Sequence, residues 1–428
     1  MRPIKFGIFG LGRGGSFYRD ILANNGDIVA VCDRSESKLE EARSFLGKDL
    51  ATYTDFESFI DHQGMEAVFL CNYFHEHAEY AIKALERNIH VLSECTSNCT
   101  MAEGVALVRA AEKSRAFYML AENYPFMLFN REMRRVYRGG SLGKCLFAEG
   151  EYNHPAHPYH LQDAKMLRPY ANHWRNLLPR SYYITHSLSP LMYVTGATPV
   201  RVSAFAAFEP YPEDSYAGLY VADRAAIITC LNDDGSVFRV TGCAAFGAHG
   251  NSYRICGDKG QIENLRGYAC RISLRYNSWD APEGRENKIK VYDMDWQNEQ
   301  DEQKELIAQS GHDGSDFVLI REFFRCIREN ERPEFDEYFA TAQASVAILA
   351  HRSILQGGMP FDIPDFRREE DRAAYEEDHL SPFFGKDGSE PTVPCCSHPD
   401  YKSSPERIAW YDRVMAEAES QKYDLKQV

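Results

Sequence analysis

The first third of the chain alternates short apolar runs with stretches in which apolar residues recur at helical spacing. The apolar runs predict strands at residues 4–9, 27–32, 66–71, 89–93 and 116–121, and the stretches at 36–46 and 77–87 predict helices. Strands that alternate with helices form a parallel sheet that is covered on both faces. We therefore predict a doubly wound α/β domain over residues 1–122, with its ligand crevice at the carboxyl ends of the strands.

The pattern changes beyond residue 122, where longer and partly alternating runs begin. They predict strands at 145–152, 200–208, 225–230, 237–245 and 253–256 and helices at 183–195, 316–329 and 338–356. We predict a second α/β domain over residues 123–358, with an open, mostly antiparallel sheet that presents one face to the cofactor. Within it, the charged region 277–312 is predicted to be a surface loop. Residues 359–428, which end in a predicted helix at 404–421, are expected to pack on both domains as an extension.

Composition narrows the range of partners. The net charge of −15 over 428 residues argues against nucleic acids and anionic membranes, because both would repel the chain. No apolar run reaches the roughly 20 residues that cross a bilayer, and the first residues have the pattern of a strand rather than of a signal peptide. The 12 cysteines lack a disulfide-like spacing, which indicates reduced thiols. We therefore expect a cytoplasmic protein with no nucleic-acid or membrane partner.

A glycine-rich turn follows the first predicted strand. Gly10, Gly12 and Gly15 form a G-x-G-x-x-G pattern, and Asp33 ends the second predicted strand eighteen residues past Gly15. In a dinucleotide-binding Rossmann domain the first glycine permits the sharp turn, the second lets the backbone approach a pyrophosphate, and the third lets the helix pack on the strand. Asp33 would bind both ribose hydroxyls and repel a 2′-phosphate, so we predict NAD, although the neighbouring Arg34 keeps NADP open.

The segments that follow the next two strands carry a family resemblance. They read Cys-Asn-Tyr-Phe-His-Glu-His-Ala-Glu at residues 71–79 and Ile-His-Val-Leu-Ser-Glu at residues 89–94. With the glycine turn, these motifs resemble the Gfo/Idh/MocA oxidoreductases, which act mostly on sugars and polyols. The resemblance implies that a C-terminal α/β domain carries the substrate on its sheet. Besides the residues of the fingerprint, it implies cofactor contacts by Arg13, Asn72, His77, Glu94 and Glu122.

Two departures from that family concern its acid/base groups. Typical members have Glu-Lys-Pro after the fourth strand, and the lysine helps to activate the substrate hydroxyl, whereas this chain has Glu94-Cys95-Thr96. The family also tends to have an aspartate four residues before a histidine on the substrate helix. Here the histidine aligns with His186 and the aspartate position holds Tyr182. Either the chemistry has moved to other residues or the protein is not a catalyst.

A narrower resemblance favours moved chemistry. Segments 149–154, 173–175, 183–190, 311–317 and 360–366 are similar, in that order, to glycoside hydrolase family 109, an NAD-dependent branch that also lacks the lysine. In that branch a tightly bound NAD accepts hydride from C3 of the sugar, a base removes the C2 proton, the glycosidic oxygen leaves, water adds, and the hydride returns. The resemblance implies acid/base roles for Tyr152 and His186. It also implies substrate contacts by His154, Trp174, Arg175, Tyr182 and His312.

The sequence therefore predicts an NAD-dependent enzyme that acts on a carbohydrate or glycoside, most simply a redox-neutral glycosidase. A sugar dehydrogenase and a non-catalytic sugar-binding protein remain as alternatives, the latter because the lysine is missing. We predict no metal, because prolines break up the spacing of His154, His157 and His160. The open sheet face predicts a homo-oligomer formed through the second domain.

Overall fold

The structure is a computed structural model that describes residues 2–284, 289–294 and 301–420. Its strands are β1 (Ile4–Phe9), β2 (Gly26–Cys32), β3 (Ala51–Tyr53), β4 (Ala67–Leu70), β5 (His90–Ser93), β6 (Tyr118–Leu120), β7 (Cys145–Asn153), β8 (Pro199–Phe208), β9 (Asp223–Asn232), β10 (Val237–Thr241), β11 (Gly250–Gly257), β12 (Gly260–Leu265), β13 (Tyr268–Tyr276), β14 (Lys290–Asp293) and β15 (Phe361–Asp362). Its α-helices are α1 (Leu11–Gly14), α2 (Tyr18–Ala23), α3 (Glu36–Leu46), α4 (Phe56–Ile60), α5 (His77–Glu86), α6 (Met101–Lys113), α7 (Leu128–Arg138), α8 (Leu161–Leu167), α9 (Trp174–Leu177), α10 (Thr185–Thr195), α11 (Lys304–Gln309), α12 (Ser315–Glu329), α13 (Glu337–Leu355), α14 (Glu369–Tyr375) and α15 (Pro405–Ser420).

The first six strands form the predicted parallel sheet, in the order β3-β2-β1-β4-β5-β6. The central strands are apolar and buried along nearly their whole length, as expected of a sheet with helices on both faces. The doubly wound fold is therefore confirmed. Strand β3 was not predicted, because its three residues (Ala-Thr-Tyr) are only half-buried and form too short a pattern.

The remaining strands form a nine-stranded mixed sheet, in the order β14-β13-β12-β11-β7-β10-β9-β8-β15. Only the β7–β10 pair within it is parallel, and the other pairs are antiparallel. The predicted open, mostly antiparallel sheet of the second domain is therefore confirmed. No helix in the described residues is long and apolar enough to cross a bilayer.

Part of the prediction for the charged region 277–312 is wrong. It contains the edge strand β14 and the short helix α11, while residues 285–288 and 295–300 lie outside the described part of the chain. The two preceding strands, β12 and β13, were also missed. Among the described side chains, the buried apolar residues are Ile262 in β12 and Ile272 and Leu274 in β13, so the alternation is too weak to recognise in isolation.

Helix α10 packs unusually close to the second sheet, which brings His186 near Tyr152. A Cβ atom on Gly150 in β7 would lie 1.9 Å from the carbonyl oxygen of Ser187, so only glycine fits between strand and helix. The Tyr253 hydroxyl in β11 donates a 2.5 Å hydrogen bond to the carbonyl oxygen of His186. The first turn of α10 is thus fixed to the sheet.

Candidate active site

The glycine turn after β1 lies against the end of β4. Gly10 has φ +91°, and a Cβ atom there would lie 2.5 Å from the carbonyl carbon of Cys71, so both conformation and space require glycine. The close packing of helix on strand depends on Gly14, where a Cβ atom would come within 2.6 Å of the Ile8 side chain. A Cβ atom on Gly15 would meet nothing closer than 3.8 Å. The packing role predicted for Gly15 is therefore wrong and belongs to Gly14.

A cavity of about 170 Å³ opens at the carboxyl ends of β1, β2 and β4. Its lining includes Gly10, Gly12, Asp33, Arg34, Lys38, Asn72, Tyr73 and Glu76. The carboxylate of Asp33 accepts hydrogen bonds from the backbone N–H groups of Leu11 (2.7 Å) and Ser35 (2.9 Å). These bonds fix the carboxylate at the edge of the groove, at the position that the fingerprint assigns to a ribose.

A second cavity, of about 140 Å³, continues toward the other domain and shares Cys71 and Asn72 with the first. Its lining includes Arg13, Phe74, His77, Glu94, Cys95, Trp174, Arg175 and Tyr183. Both amide atoms of the Asn72 side chain are buried and lack a hydrogen-bond partner. A buried, unpaired amide is costly, so this site is suited to a ligand with hydrogen-bonding groups. With the glycine turn and Asp33, it fits a dinucleotide that extends across both cavities.

Two of the predicted cofactor residues are bound to each other. The guanidinium of Arg13 donates to Glu94 (3.0 Å) and, from its other side, lies 3.2 Å from Asp316 on α12. Asp316 also accepts a 2.7 Å bond from the Asn123 side chain. Burial raises the pKa of Asp316, but the hydrogen bond from His312 and the charge of Arg13 outweigh it, so the net shift is downward. The ionised Asp316 therefore ties α12 to the glycine turn.

His77 lies at the wall of the second cavity, with its ring nitrogens turned toward the protein. Nδ1 lies 2.9 Å from the carbonyl oxygen of Thr96, and Nε2 lies 3.3 Å from that of Asn72. Burial lowers the pKa of His77, which favours the neutral ring. A neutral ring has one N–H, and the shorter distance assigns it to Nδ1, which donates to Thr96 and ties the start of α5 to the loop that follows β5.

The centre of the site is a hydrogen-bonded pair, Glu122 and His186. Nδ1 of His186 lies 2.8 Å from a carboxylate oxygen of Glu122, which is fully buried. Glu122 also accepts bonds from the Cys95 thiol (3.2 Å) and the Tyr124 N–H (3.1 Å). Burial raises the pKa of Glu122, but the proximity of His186 and the hydrogen bonds outweigh it and lower the pKa. An ionised Glu122 keeps a proton on Nδ1 and leaves Nε2 as the acceptor.

Tyr183 occupies that acceptor. Its hydroxyl lies 3.0 Å from Nε2 of His186, and its side chain lines the second cavity. Burial raises the pKa of Tyr183 well above its usual value, so the hydroxyl stays protonated and donates to Nε2. Tyr183 was not among the predicted site residues. Its signal in the sequence is its position three residues before His186 in the 183–190 motif.

Tyr152 completes an aromatic cage around His186. Its ring meets the imidazole edge-on, with centroids 5.0 Å apart, while Tyr124 stacks on the imidazole at 4.0 Å. Burial raises the pKa of Tyr152, and the charge of Arg175 opposes that rise only in part. Tyr152 is therefore a proton donor rather than a phenolate at neutral pH.

The predicted substrate residues lie in different places. Trp174 and Arg175 line the second cavity, with the guanidinium 4.4 Å from the indole. His154 stacks on Tyr152 and lies 2.9 Å, Nδ1 to Nδ1, from His249, so it belongs to the rim. In the described part of the chain, no three His, Cys, Asp or Glu side chains converge in a way that could hold a metal ion.

Tyr182 corrects one prediction and His312 refines another. Tyr182 is 2% exposed and donates to the carbonyl oxygen of Cys99 at 3.3 Å, so it is a core residue and not a substrate contact. His312 lies 3.0 Å from Asp316, with its ring 6.1 Å from that of Tyr124. The hydrogen bond to Asp316 raises the pKa of His312. His312 therefore lies beside Tyr124, at the edge of the cage.

Comparisons with known proteins match the two parts of the chain separately. Residues 4–122 match the family model described as "Oxidoreductase family, NAD-binding Rossmann fold" of the Gfo/Idh/MocA group. Residues 246–372 match the model described as "Glycosyl hydrolase 109, C-terminal domain". Neither match includes β7 or α10, which carry Tyr152 and His186.

Similar curated proteins span most of the chain. A glycosyl hydrolase family 109 protein of Streptomyces filamentosus is 26% identical, covering 86% of this chain and 78% of its own length. An alpha-N-acetylgalactosaminidase of Bacteroides fragilis is 21% identical, covering 88% of this chain and 94% of its own length.

Similar solved structures support the fold. Levoglucosan dehydrogenase in complex with NADH and L-sorbose has a TM-score of 0.70 at 17% identity, covering 85% of this chain and 100% of its own. An oxidoreductase from Agrobacterium radiobacter has a TM-score of 0.65 at 14% identity, covering 84% of this chain and 98% of its own. These likenesses concern the arrangement of both domains.

Proposed function

Because this chain joins a Gfo/Idh/MocA NAD-binding Rossmann domain to a glycosyl hydrolase 109 C-terminal domain, we propose that it is a glycosidase that uses NAD and restores it in each turnover. The observation that supports this most directly is the chain of hydrogen bonds from Glu122 through His186 to Tyr183 at the wall of the second cavity. That chain offers a proton acceptor beside the groove without the lysine of typical dehydrogenases.

When bound, NAD would accept hydride reversibly from C3 of the sugar, which would make the C2 hydrogen acidic. The residues then have to remove that proton. Nε2 of His186 is the acceptor, and the Tyr183 hydroxyl between Nε2 and the cavity can pass the proton along. Glu122 stabilises the imidazolium that forms, because its carboxylate lies on Nδ1.

Loss of the C2 proton lets the C1–O bond break as the C1=C2 double bond forms. The departing oxygen needs a proton, and the protonated phenol of Tyr152 is suited to supply it. Water then adds to the double bond. Tyr152 takes a proton from the attacking water, and the protonated His186 returns a proton to C2. This division of roles needs no pair of carboxylates at the spacing used by ordinary glycosidases.

The first substrate to test is an α-N-acetylgalactosaminide, because one relative carries the name alpha-N-acetylgalactosaminidase. Purified protein would be incubated with nitrophenyl glycosides of several sugars and both anomers in deuterated water. Phenol release, NADH absorbance and deuterium at C2 would be followed together. Release without net NADH, with deuterium at C2, is the expected result.

The other outcomes separate the alternatives. One NADH formed for each sugar consumed, without phenol release, would replace the proposal with a simple sugar dehydrogenase. No reaction with any glycoside, from protein that still binds NADH, would favour a non-catalytic sugar-binding protein.

We also propose that the chain forms a homo-oligomer through the open face of its second sheet. Phe205 on β8 is 62% exposed and pairs across the strands with the exposed Ile227. Beside them, Glu149 forms ion pairs with Arg239 and Arg254 on the same face. Light scattering on Phe205→Glu should show dissociation; an unchanged mass would refute this interface.

A cytoplasmic location is a further part of the proposal. All 12 cysteines are free, and most are buried, which suits a reducing compartment. Cell fractionation of the native organism tests this directly, and recovery from an oxidising compartment would contradict it.

A further inference from the structure

The loop between β4 and α5, residues 71–76, forms one wall of the cofactor groove. Its residues Cys71 and Asn72 line both cavities, Tyr73 lines the first and Phe74 lines the second. A dinucleotide that extends across both cavities therefore lies along this loop for much of its length. Whatever holds the loop in place also decides how readily the groove opens.

The first contact with this loop comes from the second domain. The indole of Trp174, at the start of α9, stacks on the ring of Phe74 with centroids 5.2 Å apart and planes only 12° apart. The neighbouring His173 meets Tyr73 edge-on at 5.2 Å. Trp174 is 8% exposed and Phe74 is buried, so this stack excludes water. Helix α9 thus covers the loop from the side of the substrate.

The second contact comes from the C-terminal extension. Phe383 is buried, packs edge-on against Phe74 at 6.4 Å and lies 5.1 Å from the ring of His75. Three residues later, Lys386 pairs with Glu79 in α5. The extension is therefore anchored on the Rossmann domain directly beside the loop.

We propose that Phe74, Trp174 and Phe383 form an aromatic clasp that closes the cofactor groove and controls how fast the dinucleotide leaves. Release would require the stack to separate, which exposes large apolar surfaces from three distant parts of the chain at once. Opening events of this kind set the rate of ligand release in many enzymes. The clasp rests on the NAD-binding part of the proposed function and is independent of the glycosidase part.

An unpaired donor beside the stack points to the same ligand. Nε1 of Trp174 is buried and has no hydrogen-bond partner, and Trp174 lines the second cavity with Asn72. A buried N–H is normally satisfied, so a partner from a bound molecule is expected. The oxygen atoms of a dinucleotide offer such acceptors. Trp174 would thus cover the loop with its ring and donate a hydrogen bond to the dinucleotide with its N–H.

The test is the dissociation rate of NADH, measured in a stopped-flow instrument by chasing the bound fluorescent cofactor with excess NAD. Trp174→Ala and Phe383→Ala should each release NADH at least about tenfold faster than the wild type. Trp174→Phe keeps a stacking ring and should restore most of the slow release. Trp410→Ala is the matched control, because it removes an indole stacked on Tyr216 in the cluster around α15.

Wild-type rates in both clasp variants, with unchanged melting temperatures, would overturn the clasp. Equal acceleration by Trp410→Ala would also overturn it, because the effect would then follow from general loosening. If Trp174→Ala does not fold, the comparison of Phe383→Ala with Trp174→Phe still decides the question. No glycoside is present in this experiment, so an inactive enzyme in the glycoside panel leaves its outcome intact.

Discussion

At the scale of single residues, Glu122 and His186 are expected to act together, because the carboxylate holds and stabilises the imidazole that takes up the proton. We expect His186→Ala to lower kcat by at least about 100-fold, because the hydrogen-bond chain from Tyr183 leads to Nε2 of His186 as its proton acceptor. Glu122→Gln should cost a comparable factor, since an amide cannot stabilise an imidazolium. Steady-state kinetics on the best glycoside measures both.

Tyr182→Phe is the control for these variants. It removes a hydroxyl that, among the described residues, donates to the carbonyl oxygen of Cys99 in the core, and it should leave kcat within about threefold. A large loss in Tyr182→Phe, or activity retained in His186→Ala, would contradict this assignment of roles.

The Cys95 thiol should shape the acid side of the pH profile. It donates to Glu122, and a lost donor raises the pKa of that carboxylate. Activity that needs the ionised carboxylate is present above its pKa and is lost as the pH falls through it. In Cys95→Ala the acid limb of kcat should therefore move to higher pH, whereas Cys95→Ser keeps a donor and should stay close to the wild type. Identical acid limbs in all three proteins would show that the thiol only fills space.

The sequence predicted the site in part. Tyr152, His186, Glu122 and Arg175 do converge, because each stands in a motif with a recognisable family context. Tyr182 was misplaced, because a position in an alignment does not reveal which side of a chain faces the core. Burial and the direction of a hydroxyl depend on tertiary packing.

At the scale of elements, the glycine turn allows two glycines, Gly10 and Gly15, to be compared by the same substitution. Gly10→Ala should abolish NADH binding, because φ is +91° and the new methyl group would overlap the backbone at Cys71. Gly15→Ala should bind NADH normally and melt at the same or a slightly higher temperature, because Gly15 is helical with open space around it. Fluorescence titration and thermal melts check both. Loss of binding in Gly15→Ala would restore the role that the motif assigns to it.

The elements that could be predicted are those whose own sequence pattern identifies them without reference to a neighbouring strand. Buried parallel strands such as β1 and β4 are continuous apolar runs, and helix α3 was predicted with its observed bounds. Strands β12 and β14 depend on neighbours for their pairing, and their exposed faces carry charged residues. Local pattern cannot show such pairing, because the partner strand supplies the stabilisation.

At the scale of the whole molecule, Asp316 joins the two halves of the chain through Arg13, and His312, four residues before it, binds the same carboxylate. The bond to Asp316 raises the pKa of His312, so its contribution to stability is complete below the ordinary value of about 6.5 and is lost as the pH rises through the raised value. The pKa of Asp316 is lowered, so its contribution to stability is present at neutral pH and is lost only as the pH falls into the acid range.

In the wild type, the melting temperature should fall as the pH rises above about 6.5, and we expect this fall to be smaller in His312→Gln. Thermal melts at closely spaced pH values measure this slope. His157→Gln, at an exposed histidine of the 154–160 loop, is the control and should keep the wild-type slope. An unchanged slope in His312→Gln would show that the His312–Asp316 pair does not contribute to the pH dependence of stability.

The Glu122–His186 pair is divided between the halves, since Glu122 closes the Rossmann segment and His186 lies in the first turn of α10 in the second domain. Neither half alone contains the complete pair. This makes the enzyme a natural candidate for split-protein reporters, in which activity appears only when two separately expressed fragments reunite. It also restricts recombination among relatives. A chimera that exchanges the nucleotide domain must carry a carboxylate at position 122, or the incoming domain will bind its cofactor beside a histidine that has lost its partner.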